Sequence, residues 1–356
     1  MGFSCGIVGL PNAGKSTIFN ALSNVACEIA PYTFSTVEPN VAIVPVKDQR
    51  LDLICEIIKP QKKVYTTLKI VDIAGLVRGA HKGEGLGNKF LSHIRDVDAI
   101  LHIVRCFEDE NVSHPEGSIN PKRDIELVET ELAMKDIETL DKKVNSLKRE
   151  SKTNPKLKER IIYFENVLKC VSELKTIEDV DDELKELNLL TLKPAMYILN
   201  LPDTGGDEYI KEIKEYIRNK KREVILLKGR LEQELNEFDE KDRDEMRKEL
   251  GLDKDSLISV IQQGYKILKL ITFFTIVGHN EAHAWTVEEN TRVQKAAGKV
   301  HSDFEKGFIR AEVINYRDFI EVGGEQHARE KGLLRVEGKD YIVKDGDIIR
   351  IRFSSS

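Results

Sequence analysis

One nine-residue motif near the amino terminus constrains this chain more than any other feature. Residues 9–17 read Gly-Leu-Pro-Asn-Ala-Gly-Lys-Ser-Thr and match the pattern G-x-x-x-x-G-K-[ST] in full. An apolar run at 5–8 precedes the motif, and a helical pattern begins near Lys15. The glycines let backbone N–H groups surround phosphate oxygens, Lys15 adds a positive charge at the β- and γ-phosphates, and the Ser16 hydroxyl can ligate Mg²⁺. The motif therefore predicts a nucleoside triphosphate site.

Length and charge narrow the class of protein. The chain has 356 residues, which predicts about two or three domains. Hydrophobic residues make up 40% and charged residues 33%, so there is enough apolar material for real cores. The net charge of −6 argues against a surface built wholly to bind nucleic acid, and no DNA partner is expected.

Cysteine usage and hydropathy indicate the compartment. The five cysteines are scattered and lack C-x-x-C spacing, which is typical of reduced thiols in a cytosolic chain. No apolar stretch reaches the ~18 residues of a membrane helix, and the amino terminus has no signal-type apolar core. We therefore expect a cytoplasmic protein without membrane contact.

Apolar runs alternate with helical stretches along much of the chain. The runs that predict strands lie at 41–46, 68–73, 99–104, 194–199 and 223–227. Short β-rich runs separated by helices imply a mostly parallel sheet covered on both faces. The fold class is therefore α/β.

A helical insertion interrupts this order between residues 104 and 194. Apolar residues recur there at spacings of three and four, first from Ile125 to Leu147 and then from Leu157 to Leu174. A turn at 151–155 separates the two stripes. The pattern predicts an antiparallel helical hairpin.

The pattern changes again beyond residue 251. One short helix is expected at 290–297, and a turn-forming Asp-Gly pair precedes the last strand. Strands are expected at 271–277, 309–314, 341–343 and 347–353. One helix against several short strands predicts a small α+β module with its own core.

Metal and γ-phosphate partners are expected after the second predicted strand. Asp72 begins the run Asp-Ile-Ala-Gly, fits the acidic group that holds Mg²⁺ through water, and places the Gly75 N–H at the γ-phosphate. Thr36 lies in a loop that could bring a hydroxyl to the metal. Leu76 stands where many GTPases carry the glutamine that orients the attacking water. An apolar side chain cannot orient water, so another group must do so.

The base-reading segment departs from the guanine-specific pattern. Asn200-Leu201-Pro202-Asp203 follows a predicted strand where guanine-specific proteins carry N-K-x-D. Leu201 replaces the lysine, and the Asn200 amide could serve the amine and ring nitrogen of adenine. Asp203 could still accept hydrogen bonds from guanine, so both bases remain open.

These blocks together resemble the Obg-like ATPases of the YchF type, within the TRAFAC-class P-loop NTPases. The similarity rests on the phosphate loop at 9–17, Asp-Ile-Ala-Gly-Leu-Val at 72–77, Gly-Glu-Gly-Leu-Gly-Asn at 83–88, and Asp-Phe-Glu-Lys-Gly-Phe-Ile-Arg-Ala at 303–311. The resemblance implies a G domain at 1–112 and 191–250, a coiled-coil insertion at 113–190, and a carboxyl-terminal TGS domain of ubiquitin-like β-grasp shape at 270–353.

The resemblance also implies roles for individual residues. His114 matches the mobile histidine that the family is thought to use in place of glutamine, and Lys15 is the second expected catalytic residue. Asn12 resembles the asparagine that ligates K⁺ in related GTPases. The expected Mg²⁺ ligands are Ser16, Thr36 and Asp72. The expected nucleotide-binding residues are Asn12, Ala13, Gly14, Lys15, Ser16, Thr17, Gly75, Asn200 and Leu201.

The resemblance implies ATP hydrolysis in preference to GTP, association with the ribosome and its subunits, and a monomeric state. Asp203 departs from the glutamate usual in the family and keeps a GTPase of the same architecture as the alternative. The missing glutamine keeps a third hypothesis open, in which nucleotide merely orders a non-catalytic interaction protein.

Overall fold

The computed structural model describes residues 3–29, 40–73, 86–203, 205, 207–250, 252 and 256–354. Two compact units are present: Met1–Val44 with Lys69–Val260, and Pro45–Leu68 with Ile261–Ser356. The strands are β1 (Ser4–Val8), β2 (Val41–Pro45), β3 (Lys62–Val64), β4 (Thr67–Asp72), β5 (Ala99–Arg105), β6 (Ala195–Asn200), β7 (Glu223–Leu227), β8 (Leu270–Val277), β9 (Glu281–Glu288), β10 (Phe308–Asn315), β11 (Arg335–Glu337) and β12 (Asp347–Phe353).

The helices follow the same chain order. They are α1 (Lys15–Ile29), α2 (Gln49–Ile58), α3 (Leu86–Arg95), α4 (Pro121–Glu150), α5 (Lys158–Ser172), α6 (Asp182–Glu186), α7 (Asp207–Asn219), α8 (Gly229–Leu235), α9 (Glu240–Glu249), α10 (Ser256–Ile267), α11 (Val293–Val300), α12 (Ser302–Lys306), α13 (Tyr316–Val322) and α14 (Glu325–Glu330). Among the residues that the structure describes, no helix combines the length and apolarity needed to cross a lipid bilayer.

The first unit is built on a six-stranded sheet with the order β2-β4-β1-β5-β6-β7. Within this sheet, β1 pairs parallel to both β4 and β5, β5 pairs parallel to β6, and β6 pairs parallel to β7. Every residue of the central strand β5 is buried, as expected for a parallel strand covered on both faces. The α/β fold class and the parallel sheet predicted from the sequence are thus confirmed.

The helical hairpin predicted between residues 104 and 194 corresponds to α4 and α5. Helix α4 starts at Pro121 after Asn120, whose side chain accepts a hydrogen bond from the Arg123 N–H (3.0 Å). The two helices pack through a buried cluster that includes Leu140, Val144 and Phe164. The hairpin is therefore held by an apolar seam along its inner face.

The second unit is a separate six-stranded sheet with the order β11-β10-β12-β8-β9-β3. Strands β8 and β9 form an antiparallel hairpin, β12 pairs parallel to β8, and β3 pairs parallel to β9. A strand predicted at 341–343 is wrong: outside the named strands, Ile342 makes a single bridge to Arg292. The pairing does not extend further, because the chain turns at 345–346 and then enters β12.

Residues 45–68 were not predicted to belong with the carboxyl-terminal module. The structure places α2 and β3 in the second unit, where Leu51 and Ile54 are fully buried beside Phe274 and Phe319. Each unit is thus built from two separate segments of the chain. The predicted domain boundaries placed 45–68 within the G domain at 1–112 and not with the carboxyl-terminal domain at 270–353.

Candidate functional site

The phosphate loop connects β1 to α1 and requires glycine at two positions. Gly9 has φ +153°, and a Cβ there would lie 2.5 Å from the carbonyl oxygen of Ile103. Gly14 has φ +91°, and a Cβ there would lie 2.2 Å from Nδ2 of Asn200. The loop therefore closes against β5 and β6 only with no side chain at these positions.

Lys15 lies along the inside of this loop. It is 8% exposed, and its Nζ donates a hydrogen bond to the carbonyl oxygen of Leu10 (2.8 Å). Burial lowers the pKa of Lys15, and the nearby charge of Asp72 opposes that shift. An ammonium group has three donors, so Lys15 can hold the loop and still contact a phosphate oxygen.

Ser16 and Asp72 form an oxygen pair at the edge of the loop. The Ser16 hydroxyl donates to Oδ2 of Asp72 (3.2 Å), whereas Oδ1 is buried and has no hydrogen-bond partner among the residues that the structure describes. Burial raises the pKa of Asp72, while Ser16 and Lys15 oppose the rise. A hard cation satisfies such an orphaned oxygen, so these residues fit Mg²⁺.

Within the described residues, no cluster of three or more His, Cys, Asp or Glu side chains could hold a metal alone. A cation at Ser16 and Asp72 would therefore need oxygens from phosphate or water, which is how Mg²⁺ is usually bound beside nucleotides. The two remaining predicted groups, Thr36 and Gly75, lie outside the described residues, as does Leu76.

A cleft of about 480 Å³ adjoins the phosphate loop. It opens at the carboxyl ends of β5 and β6, where parallel α/β sheets bind ligands. Its volume suits a nucleotide-sized ligand. The residues that line it are Asn12, Gly14, Lys15, Ser16, Thr17, Phe107, Glu108, Asp109, Val112, Asn200, Leu201, Pro202, Asp203, Arg230 and Gln233.

Asn200 joins the phosphate loop to the loop after β7. Its Nδ2 donates to the carbonyl oxygen of Ala13 (3.0 Å), and its Oδ1 accepts from the Gly229 N–H (2.9 Å). The residue is 4% exposed. Both ends of the amide are thus engaged by the protein, which favours a linking role over the predicted direct reading of adenine.

Leu201 and Asp203 line the cleft on the side where the sequence predicts the base. Leu201 is buried, and its N–H donates to the carbonyl oxygen of Leu227 (2.8 Å). Lys228 donates to the backbone carbonyl of Asp203 (2.8 Å), so the Asp203 carboxylate is not the acceptor. The cleft therefore offers one apolar surface and one carboxylate next to each other.

Sequence reasoning missed Phe107, which lines the cleft just after β5. The buried Arg105 fixes this segment, since its guanidinium lies 4.6 Å from the Phe107 ring centroid and donates to the carbonyl oxygens of Val112 (2.8 Å) and Ser113 (3.3 Å). An aromatic side chain here can stack on a base. Its position after a central parallel strand was the available signal.

The loop that carries His114 touches the phosphate loop, because Nδ2 of Asn12 donates to the carbonyl oxygen of Ser113 (3.0 Å). The imidazole itself does not line the cleft. Its Nδ1 accepts from the Glu116 N–H (3.1 Å), so Nε2 carries the hydrogen and donates to Oδ2 of Asp124 (2.9 Å). The side chain is 5% exposed and held at the first turn of α4.

The fold and the cleft define a P-loop NTPase of the G-domain type with an inserted helical hairpin and a carboxyl-terminal β-grasp domain. A model of 50S ribosome-binding GTPases matches residues 4–166, and a model of the carboxyl-terminal part of YchF GTPases, described as a protein of unknown function, matches residues 270–354. The chain belongs to the YchF family.

Full-length relatives support this membership. The Escherichia coli O157:H7 protein named ribosome-binding ATPase YchF is 46% identical, and the match covers 99% of this chain and 100% of that protein. The Bacillus subtilis strain 168 protein of the same name is 42% identical, with 99% and 100% covered. The family expected from the four sequence blocks is confirmed.

Solved structures agree on the fold. The structure of the Schizosaccharomyces pombe YchF GTPase is 36% identical, has a TM-score of 0.87, and covers 98% of this chain and 97% of its own. A GTP binding protein from Pyrococcus horikoshii OT3 is 22% identical with a TM-score of 0.65, covers 99% of this chain and 100% of its own, and shares the fold.

Proposed function

We propose that this protein is a Mg²⁺-dependent ATPase that hydrolyses ATP to ADP and acts as a ribosome-associated, nucleotide-controlled switch. The observation that carries the proposal is the arrangement of Lys15, Ser16 and Asp72 at one end of a nucleotide-sized cleft. Relatives named ribosome-binding ATPase YchF, 42–46% identical over nearly the whole chain, support both the reaction and the partner.

The phosphate loop would hold the triphosphate through its backbone N–H groups and Lys15, which stabilises negative charge on the γ-phosphoryl oxygens. Ser16 would ligate Mg²⁺ directly and Asp72 through water, with Thr36 and the Gly75 N–H as further proposed contacts. The bound ion supplies charge neutralisation at the β- and γ-phosphates. Asn12 is the proposed contact for K⁺.

Water attacks the γ-phosphorus, and the bond from the γ-phosphorus to the β,γ-bridging oxygen breaks, which yields ADP and inorganic phosphate. We propose that His114 orients this water. Its Nε2 now donates to Asp124, so the imidazole must leave that carboxylate to reach the cleft. The preceding residue, Ser113, is joined through its carbonyl oxygen to Asn12, so His114 would move next to the phosphate loop.

Base preference rests on Leu201, Phe107 and Asp203, which share the cleft. Apolar and aromatic surfaces accept either purine, and the exposed carboxylate of Asp203 favours guanine. A GTPase of the same architecture is therefore the second candidate, and the name of the Schizosaccharomyces pombe YchF GTPase agrees with it.

The deciding experiment compares ATP and GTP with one preparation of the full chain. Binding of non-hydrolysable analogues and the rate of phosphate release are measured with Mg²⁺ and with chelator, in the presence and absence of ribosomes. ATP should bind more tightly and turn over only with Mg²⁺. GTP binding at least tenfold tighter, about 1.4 kcal/mol, would establish the GTPase alternative.

A nucleotide-ordered interaction protein is the third candidate. Phosphate release no faster than in buffer, with or without ribosomes, would establish it.

We further propose that residues 1–112 and 191–250 bind the nucleotide, that 113–190 and 270–353 serve partner contacts, and that the protein is a cytoplasmic monomer. Co-sedimentation with ribosomal subunits and light scattering test these assignments.

A further inference from the structure

A second cavity lies where the helical hairpin joins the sheet of the first unit. It has a volume of about 430 Å³, within the range of small-molecule sites. Ile100 and His102 of β5, Tyr197 of β6, and Val128 and Leu132 of α4 line it. Further lining comes from 174–177, 190–193 and 220–222. We name it the hairpin-base cavity; its described lining shares no residue with that of the nucleotide cleft.

Positive charge dominates the lining of the hairpin-base cavity. Lys220 pairs with Glu129, and Lys175 pairs with Glu173 (2.6 Å). The other three cations form no ion pair within the described parts of the chain. The five lining cations are Lys175, Lys193, Lys220, Lys221 and Arg222. Lys193 lies close to the carboxylates of Asp96, Asp98 and Asp136, which offset its charge. The uncompensated positive charge beside the cavity is therefore that of Lys221 and Arg222, and such charge attracts anions.

Two of the unpaired cations are free to contact a ligand. Nζ of Lys193 donates to the carbonyl oxygens of Arg95 (3.0 Å) and Val97 (2.6 Å), so the protein already engages this ammonium group. Arg222 has one long hydrogen bond, to the carbonyl of Lys193 (3.5 Å), and keeps its other donors. Lys221 is exposed at the cavity mouth.

His102 supplies an unused polar group. It is 4% exposed, and its ring nitrogens form no hydrogen bond within the described residues. Burial, with Lys220, lowers the pKa of His102 to about 3, so the neutral ring offers one donor and one acceptor. Buried polar groups are normally hydrogen-bonded, and a ligand in the cavity would satisfy this one.

We propose that the hairpin-base cavity binds a small organic anion that carries one carboxylate or phosphate monoester on an apolar body. The charged group lies at Lys221 and Arg222, and the apolar body lies against the aliphatic side chains from β5 and α4. His102 donates to or accepts from the body of the ligand. Because Val8, the residue before the phosphate loop, also lines the cavity, an occupant would contact the strand that carries that loop.

Isothermal titration of the full chain with octanoate and with octyl phosphate, both below their micellar concentrations, tests the proposal and distinguishes the two head groups. Acetate, inorganic phosphate and 1-octanol are the matched probes that lack the body or the charge. At least one amphiphile should bind with 1:1 stoichiometry and at least tenfold more tightly than these three. Equal binding of 1-octanol, or of acetate or phosphate, would overturn the proposal, as would no binding of either amphiphile.

The double variant Lys221→Glu/Arg222→Glu should weaken binding at least tenfold. Lys211→Glu, an exposed charge reversal on α7 away from the cavity, should leave binding unchanged. Binding that survives the double variant contradicts the proposal. If that variant misfolds by circular dichroism, His102→Phe decides, with at least threefold weaker binding expected and unchanged binding counting against the cavity. ATP hydrolysis measured without amphiphile shows separately whether the nucleotide site works.

Discussion

His114 is the residue on which the proposed water-orienting step depends. Replacement by Ala should lower kcat roughly a hundredfold, the lower end of the effect of losing a proton-transfer or water-positioning group. Nucleotide affinity should stay within about twofold of that of the unchanged protein, because the imidazole does not line the cleft. The variant therefore loses no contact that binds the nucleotide equally in the ground state and the transition state. Single-turnover phosphate release and analogue binding measure the two effects.

His93→Ala is the control for that variant, since His93 is exposed on α3 and lies apart from the cleft. Its kcat should equal that of the unchanged protein. An unaltered rate in His114→Ala would return His114 to an ordinary buried loop residue, anchored by Asp124, and another group would have to orient the water.

Replacement of Asn200 by Ala tests whether this residue links two loops of the protein or contacts the base of the nucleotide. Asn200→Ala leaves the Ala13 carbonyl and the Gly229 N–H without their partner, so the phosphate loop loses support. ATP and GTP affinities should both fall roughly tenfold, or about 1.4 kcal/mol. Asn219→Ala, at an exposed position in α7, should change neither. Loss confined to ATP would restore the direct reading of adenine.

At the scale of elements, the sequence allowed prediction wherever one local rule determined the structure. The apolar run of β5 and the spacing of apolar residues in α4 each identify an element without knowledge of its neighbours. Burial alternates only over the first five residues of β9, which include Glu281, His283 and Trp285. The parallel partner of this strand, β3, lies about 220 residues earlier. Pairing over that distance cannot be read from a local pattern.

Helix α4 carries a buried carboxylate that ties the hairpin to the turn at 190–192, which precedes β6. Asp136 is fully buried and accepts hydrogen bonds from the Leu190 N–H (2.9 Å), the Thr191 N–H (2.8 Å) and the Thr191 hydroxyl (2.8 Å). Burial raises the pKa of Asp136, and the bonds from Thr191 and Leu190 oppose the rise. Asp136→Ala should destabilise the first unit by about 3 kcal/mol, because the buried Leu190 N–H and the half-buried Thr191 N–H both lose their acceptor.

Urea unfolding followed by the far-ultraviolet helical signal measures that loss. Asp141→Ala, an exposed change on the same helix, should stay within about 0.5 kcal/mol of the unchanged protein. Equal stability of the two variants would mean that apolar packing alone attaches the hairpin.

At the scale of the whole molecule, the position of the cleft beside the motif at 9–17 could be predicted from the sequence, whereas the division of the chain into two units could not. The motif at 9–17 and Asp72 predict a phosphate and metal site because their chemistry requires particular residue types. The anchoring of His114 by Asp124 and the approach of Phe107 depend on loops whose courses follow from tertiary contacts. The same holds for residues 45–68, whose apolar residues look from the sequence like part of the first sheet domain.

The contribution of 45–68 to the second unit gives the last prediction. Leu51 and Ile54 of α2 are fully buried beside Phe274 and Phe319, and β3 extends the sheet at β9. A fragment of residues 261–356 should therefore expose a large part of its core and fail to unfold cooperatively, because each lost aliphatic side chain removes about 2–5 kcal/mol. Joining 45–68 to 261–356 through a flexible linker should restore a cooperative thermal transition. A cooperative transition in the shorter fragment alone would show that α2 and β3 pack onto a domain that is already stable.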